Sequence, residues 1–151
     1  MKYPNIITGT RTDFVRLLAI WESAVKATHD FLDDKDFIYY QSRMTDYFEQ
    51  VNLYVYKNEK GEIIGFMGVS GSMIEMLFVD AAFRGCGVGK RLLLYALNTL
   101  NVCKLNVNEQ NSQAVGFYTH MGFKITGRSP LDNDGKHYPL LHLQYFRNFA
   151  R

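Results

Sequence analysis

The stretch Leu77-Phe78-Val79-Asp80-Ala81-Ala82-Phe83-Arg84-Gly85-Cys86-Gly87-Val88-Gly89-Lys90 decides the fold. An apolar run that reads as a strand ends at Val79, a glycine-rich loop follows, and an amphipathic run from about Val88 to Leu100 reads as a helix. A loop between a strand and a helix N-terminus presents main-chain N–H groups to an anion, and the helix dipole adds roughly half a positive charge there. Gly85, Gly87 and Gly89 lack side chains, so the main chain can curl closely under a phosphate. A diphosphate suits that geometry.

Spacing separates the phosphate loops that share this design. A Walker loop needs Gly five residues before Gly89 and Ser or Thr after Lys90, but Arg84 and Arg91 stand there. A dinucleotide fingerprint needs G-x-G-x-x-G early in a βαβ unit, whereas these glycines fall as G-x-G-x-G.

Upstream, Tyr3 to Ile7 reads as a short strand. A helix then starts at about Thr12, its plausible cap, with apolar positions Phe14, Leu17, Leu18, Trp21 and Val25 at helical spacing. A second helix follows Phe31-Leu32, with Asp33 and Asp34 favoured at its positive end, and runs to about Gln50. Val51 to Tyr56 and Ile63 to Val69 flank Asn58-Glu59-Lys60-Gly61, a hairpin pattern, and Ile74 to Val79 extends it. After the loop and its helix come a strand (Val102 to Val107), a helix (Ser112 to Met121) and a strand (Phe123 to Gly127). A polar loop from Ser129 to Lys136 leads to a closing strand, Tyr138 to Phe146.

Arg84-x-x-Gly87-x-Gly89 resembles the Q/R-x-x-G-x-G/A signature of the GNAT superfamily of N-acetyltransferases. Leu77-Phe78-Val79-Asp80 resembles that family's fourth strand, and Asn111 to Phe123 resembles its N-x-x-A-x-x-x-Y-x-x-x-G-F segment. Ala27-Thr28-His29-Asp30-Phe31-Leu32 is similar to small bacterial members of the YjaB type. The resemblance spans nearly the whole chain. It implies an α+β, mixed α/β fold, with a central, mostly antiparallel twisted sheet of about seven strands, splayed after the fourth and flanked by about four helices. Residues 1 to 151 would form one N-acetyltransferase domain.

The same resemblance implies acetyl transfer from acetyl-coenzyme A to a primary amine by direct attack in a ternary complex, with no metal. Such a reaction needs a neutral amine, oxyanion stabilisation and a proton for the thiolate. Amides of Leu77, Phe78 and Val79 would hold the pantetheine arm and the thioester carbonyl. Arg84, Gly85, Cys86, Gly87, Val88, Gly89 and Lys90 would hold phosphates, with Arg91 ranked below Arg84 and Lys90. Asn111 would hydrogen-bond the pantetheine arm, and also suits a helix N-cap. Tyr118, whose phenol stays protonated at neutral pH, is the proton donor; the bland reading is a core tyrosine beside Phe117 and Phe123. Some family members carry a Glu five residues before the Asn of the second segment, where this chain has Asn106. Glu75, read in the same strand alternation as Leu77 and Val79, and His29, in the loop between the first two helices, are the candidate bases.

The remaining sequence bounds the context. In 151 residues, 47% are hydrophobic and 21% charged, which supports one globular core without a disordered tail. A net charge of +2 without clustered Lys and Arg argues against nucleic acid. The N-terminus lacks the h-region of a secretory signal, no run suits a spanning helix, and Cys86 and Cys103 suggest neither a disulfide framework nor a metal site. A cytoplasmic protein, monomer or homodimer, is the expectation. From Glu22 to Asp36 five acids face two lysines, a local charge of minus three that suits a cationic amine, or merely complements a helix dipole. Acceptors from small amines to peptides stay open. The rival of another class is a non-catalytic acyl-coenzyme A-binding module.

Overall fold

The structure, a computed structural model, describes residues 2–147 and divides into two compact units, one running to Val102 and the other beginning at Cys103. Seven strands and four α-helices lie among the described residues.

In the first unit, β1 (Ile6–Thr8), β2 (Asn52–Lys57), β3 (Ile63–Ser70) and β4 (Met73–Val79) form an antiparallel run in that order. The β2–β3 turn is tied by Asn58, whose side-chain oxygen accepts from the amides of Lys60 and Glu62, with Gly61 at φ +79°. Seven of the eight β3 residues are buried because helices cover both faces. On one side α1 (Phe14–Thr28) and α2 (Asp34–Glu49) bury Leu17, Ile20, Trp21, Val25, Met44 and Phe48 against Leu53, Val55, Phe66 and Met76. On the other, α3 (Val88–Tyr95) comes so close that a Cβ on Gly65 would meet Val88 at 2.8 Å.

Helix boundaries follow local chemistry. The chain enters α1 through a 3-10 turn, Arg11–Asp13, and the N-terminal cap is Thr10, not Thr12: Asp13 reaches back to the Thr10 amide at 2.8 Å. Asp33 caps α2 by accepting from the Lys35 amide. α3 continues as a π turn, Ala96–Leu100, that stops at Asn101 with φ 55°.

The second unit places β7 (Leu140–Tyr145) between β5 (Lys104–Asn108) and β6 (Phe123–Ser129), both antiparallel to it. α4 (Ser112–His120) packs on β5 and β6. Gly122, φ +102°, ends the turn after α4 where the Tyr145 ring leaves no room for a side chain. β6 runs two residues past Gly127, so Ser129 belongs to a strand and not to the loop read from the sequence. No helix among the described residues is long and apolar enough to cross a membrane.

Candidate active site

The glycine loop has the conformation its composition calls for. Gly85 (φ +81°) and Gly87 (φ +80°) both sit in the left-handed region, and Gly87 caps α3. Alternation of this kind curls successive amides toward one point, ahead of a helix N-terminus. Gly85, Cys86 and Gly87 are exposed, as are Arg84 and Lys90 on either side, while Val88 is buried under α3 as its anchor. Arg91 turns back instead of outward: its guanidinium donates to the Tyr56 hydroxyl at 3.2 Å and to the Cys86 carbonyl at 3.3 Å. It braces the loop from beneath.

The loop's approach is pinned by a cluster the sequence reading missed. Asp80, just past β4, accepts from Arg16 at 2.8 Å, from Ser23 at 3.2 Å and from the Ala82 amide at 3.0 Å. Burial alone would raise its pKa, but the Ala82 amide, Arg16 and Ser23 outweigh burial and hold the carboxyl below its usual range. Arg16 also donates to the Ile63 carbonyl, so α1, β3 and the start of the loop meet at one ion pair. The only sequence signal was an acid directly after an apolar strand.

Leu77, Phe78 and Val79 are half-buried and pair with Met67, Phe66 and Gly65 of β3. One register break alters the expected picture. Met76 pairs with Gly68 and Ile74 with Val69, so Glu75 is the extra residue of a bulge. Strict alternation from Leu77 and Val79 is therefore interrupted at Glu75. Its carboxyl is exposed at the surface, yet nearby protein desolvates it enough to raise its pKa above the ordinary carboxylate value.

His29 ends α1, half-buried. Thr28 donates its hydroxyl to the Ala24 carbonyl at 2.8 Å, so its oxygen is left to accept from His29 Nδ1 at 2.7 Å. That fixes the neutral ring as the Nδ1–H tautomer, with the lone pair on Nε2. Desolvation lowers its pKa to about 4, with Asp30 opposing the shift. The ring also lies 5.0 Å from Phe31.

In the second unit Asn111 performs the capping role, accepting from the Ala114 amide at 3.2 Å, and is itself buried. Tyr118 is buried with its ring 5.2 Å from Phe117 and 5.8 Å from Phe123, and desolvation raises its pKa well above the ordinary phenol value. No buried side-chain oxygen among the described residues lacks a hydrogen bond. Asn106, noted in the sequence only as an absent carboxylate, takes part in a second cluster that the sequence did not reveal. Its Oδ1 lies 2.6 Å from His142 Nδ1, and His142 Nε2 lies 2.7 Å from Ser129 Oγ. A lone polar position within Leu140-Leu141-His142-Leu143 was the available hint.

A family model described as an acetyltransferase (GNAT) domain matches residues 23–140. The chain belongs to the GNAT acetyltransferase family. It is 43% identical over 141 residues to the peptidyl-lysine N-acetyltransferase YjaB of Salmonella typhimurium, covering 93% of this chain and 97% of that protein. The protein of the same name from Escherichia coli is 46% identical over 129 residues, 85% of this chain and 88% of its own. The solution structure of apo YjaB from Escherichia coli superposes with a TM-score of 0.82 at 43% identity, over 95% of this chain and 97% of that one. The chain thus has the GNAT fold expected from its sequence, and it is an N-acetyltransferase that acts on an amine.

Proposed function

We propose that this GNAT enzyme transfers acetyl from acetyl-coenzyme A to the side-chain amine of a peptidyl lysine, by direct attack within a ternary complex. The observation that carries the acceptor is near-full-length similarity to two proteins named as peptidyl-lysine N-acetyltransferases. The donor rests on the loop, whose two left-handed glycines and following helix suit a diphosphate. Arg84 and Lys90 supply cations beside it, and the half-buried amides of Leu77 to Val79 hold the pantetheine arm and polarise the thioester carbonyl. Asn111 caps its helix and supplies a hydrogen bond to the same arm. The chain acts as a single N-acetyltransferase domain.

A lysine ammonium must lose one proton before attack and a second once the C–N bond forms. His29 or Glu75 takes the first, directly or through water: the ring is neutral with a free Nε2, and the carboxyl is a stronger base than an ordinary one. As the tetrahedral adduct collapses, the C–S bond breaks and Tyr118 gives its proton to the thiolate. Its raised pKa keeps the phenol protonated until then. The free thiols Cys86 and Cys103 support a cytoplasmic setting.

The test is a panel of lysine peptides, α-amino peptides and small amines with acetyl-coenzyme A, following free thiol and product mass. Turnover on lysine peptides above the other classes is expected. Turnover confined to small amines would overturn the acceptor, and thiol release with another acyl donor but not with the acetyl thioester would overturn the donor.

A further inference from the structure

Asp80 stands at the joint between the strand amides of Leu77 to Val79 and the glycine loop, directly after Val79. Each main-chain amide across this joint is already engaged. The Asp80 amide donates to the Ile64 carbonyl at 2.9 Å, and the Ala81 amide to Ser23 Oγ at 3.0 Å. The Ala82 amide donates to Asp80 Oδ1 at 3.0 Å, the Phe83 amide to the Asp80 carbonyl at 2.8 Å and the Arg84 amide to the Ala81 carbonyl at 3.4 Å. An amide bonded within the protein is not offered to a ligand. The amides offered to phosphate therefore begin at Gly85, and the segment from Asp80 to Arg84 is a spacer of fixed shape.

One helix holds that spacer. Arg16 and Ser23 lie seven positions apart on α1, so they share a face. Arg16 donates to Asp80 Oδ2 at 2.8 Å and Ser23 to Asp80 Oδ1 at 3.2 Å, while the same Ser23 oxygen receives the Ala81 amide. Arg16 is itself aimed by its bond to the Ile63 carbonyl on β3. The curl of the loop has other supports. Gly85 and Gly87 adopt left-handed conformations, and Arg91 reaches the Cys86 carbonyl and the Tyr56 hydroxyl. Val88 is seated so closely over Gly65 that a Cβ there would meet it at 2.8 Å. None of these supports passes through Asp80. The shape of the loop and its placement relative to β4 thus rest on different side chains.

Resting on the donor reading above, we propose that Asp80, held by Arg16 and Ser23, is the positioning residue that sets the distance between the pantetheine amides of β4 and the diphosphate amides of the loop. A ligand that spans two subsites gains affinity only when their spacing matches its own length, because the second contact then forms at a high effective concentration. The cluster acts through the main chain of Ala81 to Arg84, with no contact to the donor required. Its loss weakens binding of the whole donor and spares the separate halves. Arg91 has the opposite part: its loss loosens the curl and weakens whatever carries the diphosphate. Because Val88 and Arg91 still hold the far side of the loop, losing Asp80 has a partial effect.

The experiment measures dissociation constants of coenzyme A, ADP and pantetheine by calorimetry and NMR titration. The full chain is compared with Asp80→Ala, Ser23→Ala and Arg91→Gln, and folding is checked by thermal melts. ADP carries a diphosphate and pantetheine the thiol arm. Asp80→Ala should weaken coenzyme A about tenfold while ADP and pantetheine each stay within about twofold of the parent. Ser23→Ala, which removes one hydroxyl, should show the same pattern at about fivefold, and it decides the matter if Asp80→Ala does not fold. Arg91→Gln should weaken ADP and coenzyme A alike. Coenzyme A affinity within about twofold of the parent in the folded Asp80 and Ser23 variants, or ADP affinity falling in them as far as that of coenzyme A, overturns the positioning role. No binding of either coenzyme A or ADP to the unaltered protein would instead strike the donor reading, leaving the two failures distinct.

Discussion

The glycine loop and the groups proposed to handle protons, Tyr118 and His29, are built from different materials. The loop is exposed main chain, shaped by Gly85 and Gly87 in left-handed conformations and braced by Arg91. Tyr118 and His29 are a buried and a half-buried side chain, set by helix packing and a helix end. A main-chain site depends on backbone freedom and tolerates side-chain changes that leave that freedom alone. A side-chain site depends on single atoms. Donor affinity and chemistry should therefore separate under mutation.

The sharpest separation is Tyr118→Phe, which should reduce kcat by a factor of about 10² to 10⁴ while leaving the donor dissociation constant unchanged. Steady-state kinetics with a saturating peptide, together with calorimetry, check it. Equal losses in both quantities would mean the ring packs the site and does no chemistry.

Next is pH. His29 has a folded pKa of about 4 against an ordinary 6.5, so between these values the unfolded chain binds more protons than the folded one. Stability is thus full above pH 6.5 and falls as pH drops toward 4, by at most about 3 kcal/mol from this ring. His29→Asn should flatten that part of the curve in urea melts at pH 7 and pH 4.5. An unchanged slope would mean the ring is not desolvated.

Gly87→Ala should do the reverse of Tyr118→Phe. A Cβ finds space there, so the effect comes from φ +80° alone, at about 1–2 kcal/mol. Donor KM should rise roughly tenfold with kcat changed less, measured with acetyl-coenzyme A varied at fixed peptide. Gly116→Ala, in an unstrained helical position with open space, serves as the neutral control.

The same contrast explains how far the sequence was legible. The loop could be read because glycine spacing at a strand-helix junction is a local record of backbone shape. Asp33 and Asn111 as caps were readable for the same reason, since a cap bonds two or three residues ahead. The bulges at Glu75 and Thr126 were not, because one inserted residue leaves the apolar alternation looking intact while turning later side chains to the other face. Hence Ser129, expected in a polar loop, ends β6. The cap is Thr10 instead of Thr12 because Asp13 reaches back to its amide, a contact that residue type alone does not reveal. His142 meets Asn106 across 36 positions of sequence, a separation on which no local pattern reports.

The central claim, that main-chain amides from Gly85 to Gly89 grip the donor's diphosphate, is tested most directly by amide NMR shifts. The folded protein is titrated with coenzyme A and, separately, with pantetheine, which lacks the diphosphate. Large shifts are expected at Gly85, Gly87 and Gly89 with coenzyme A and small ones with pantetheine, while Leu77 to Val79 respond to both. Equal movement of the loop glycines with both ligands, or none with coenzyme A, would contradict it.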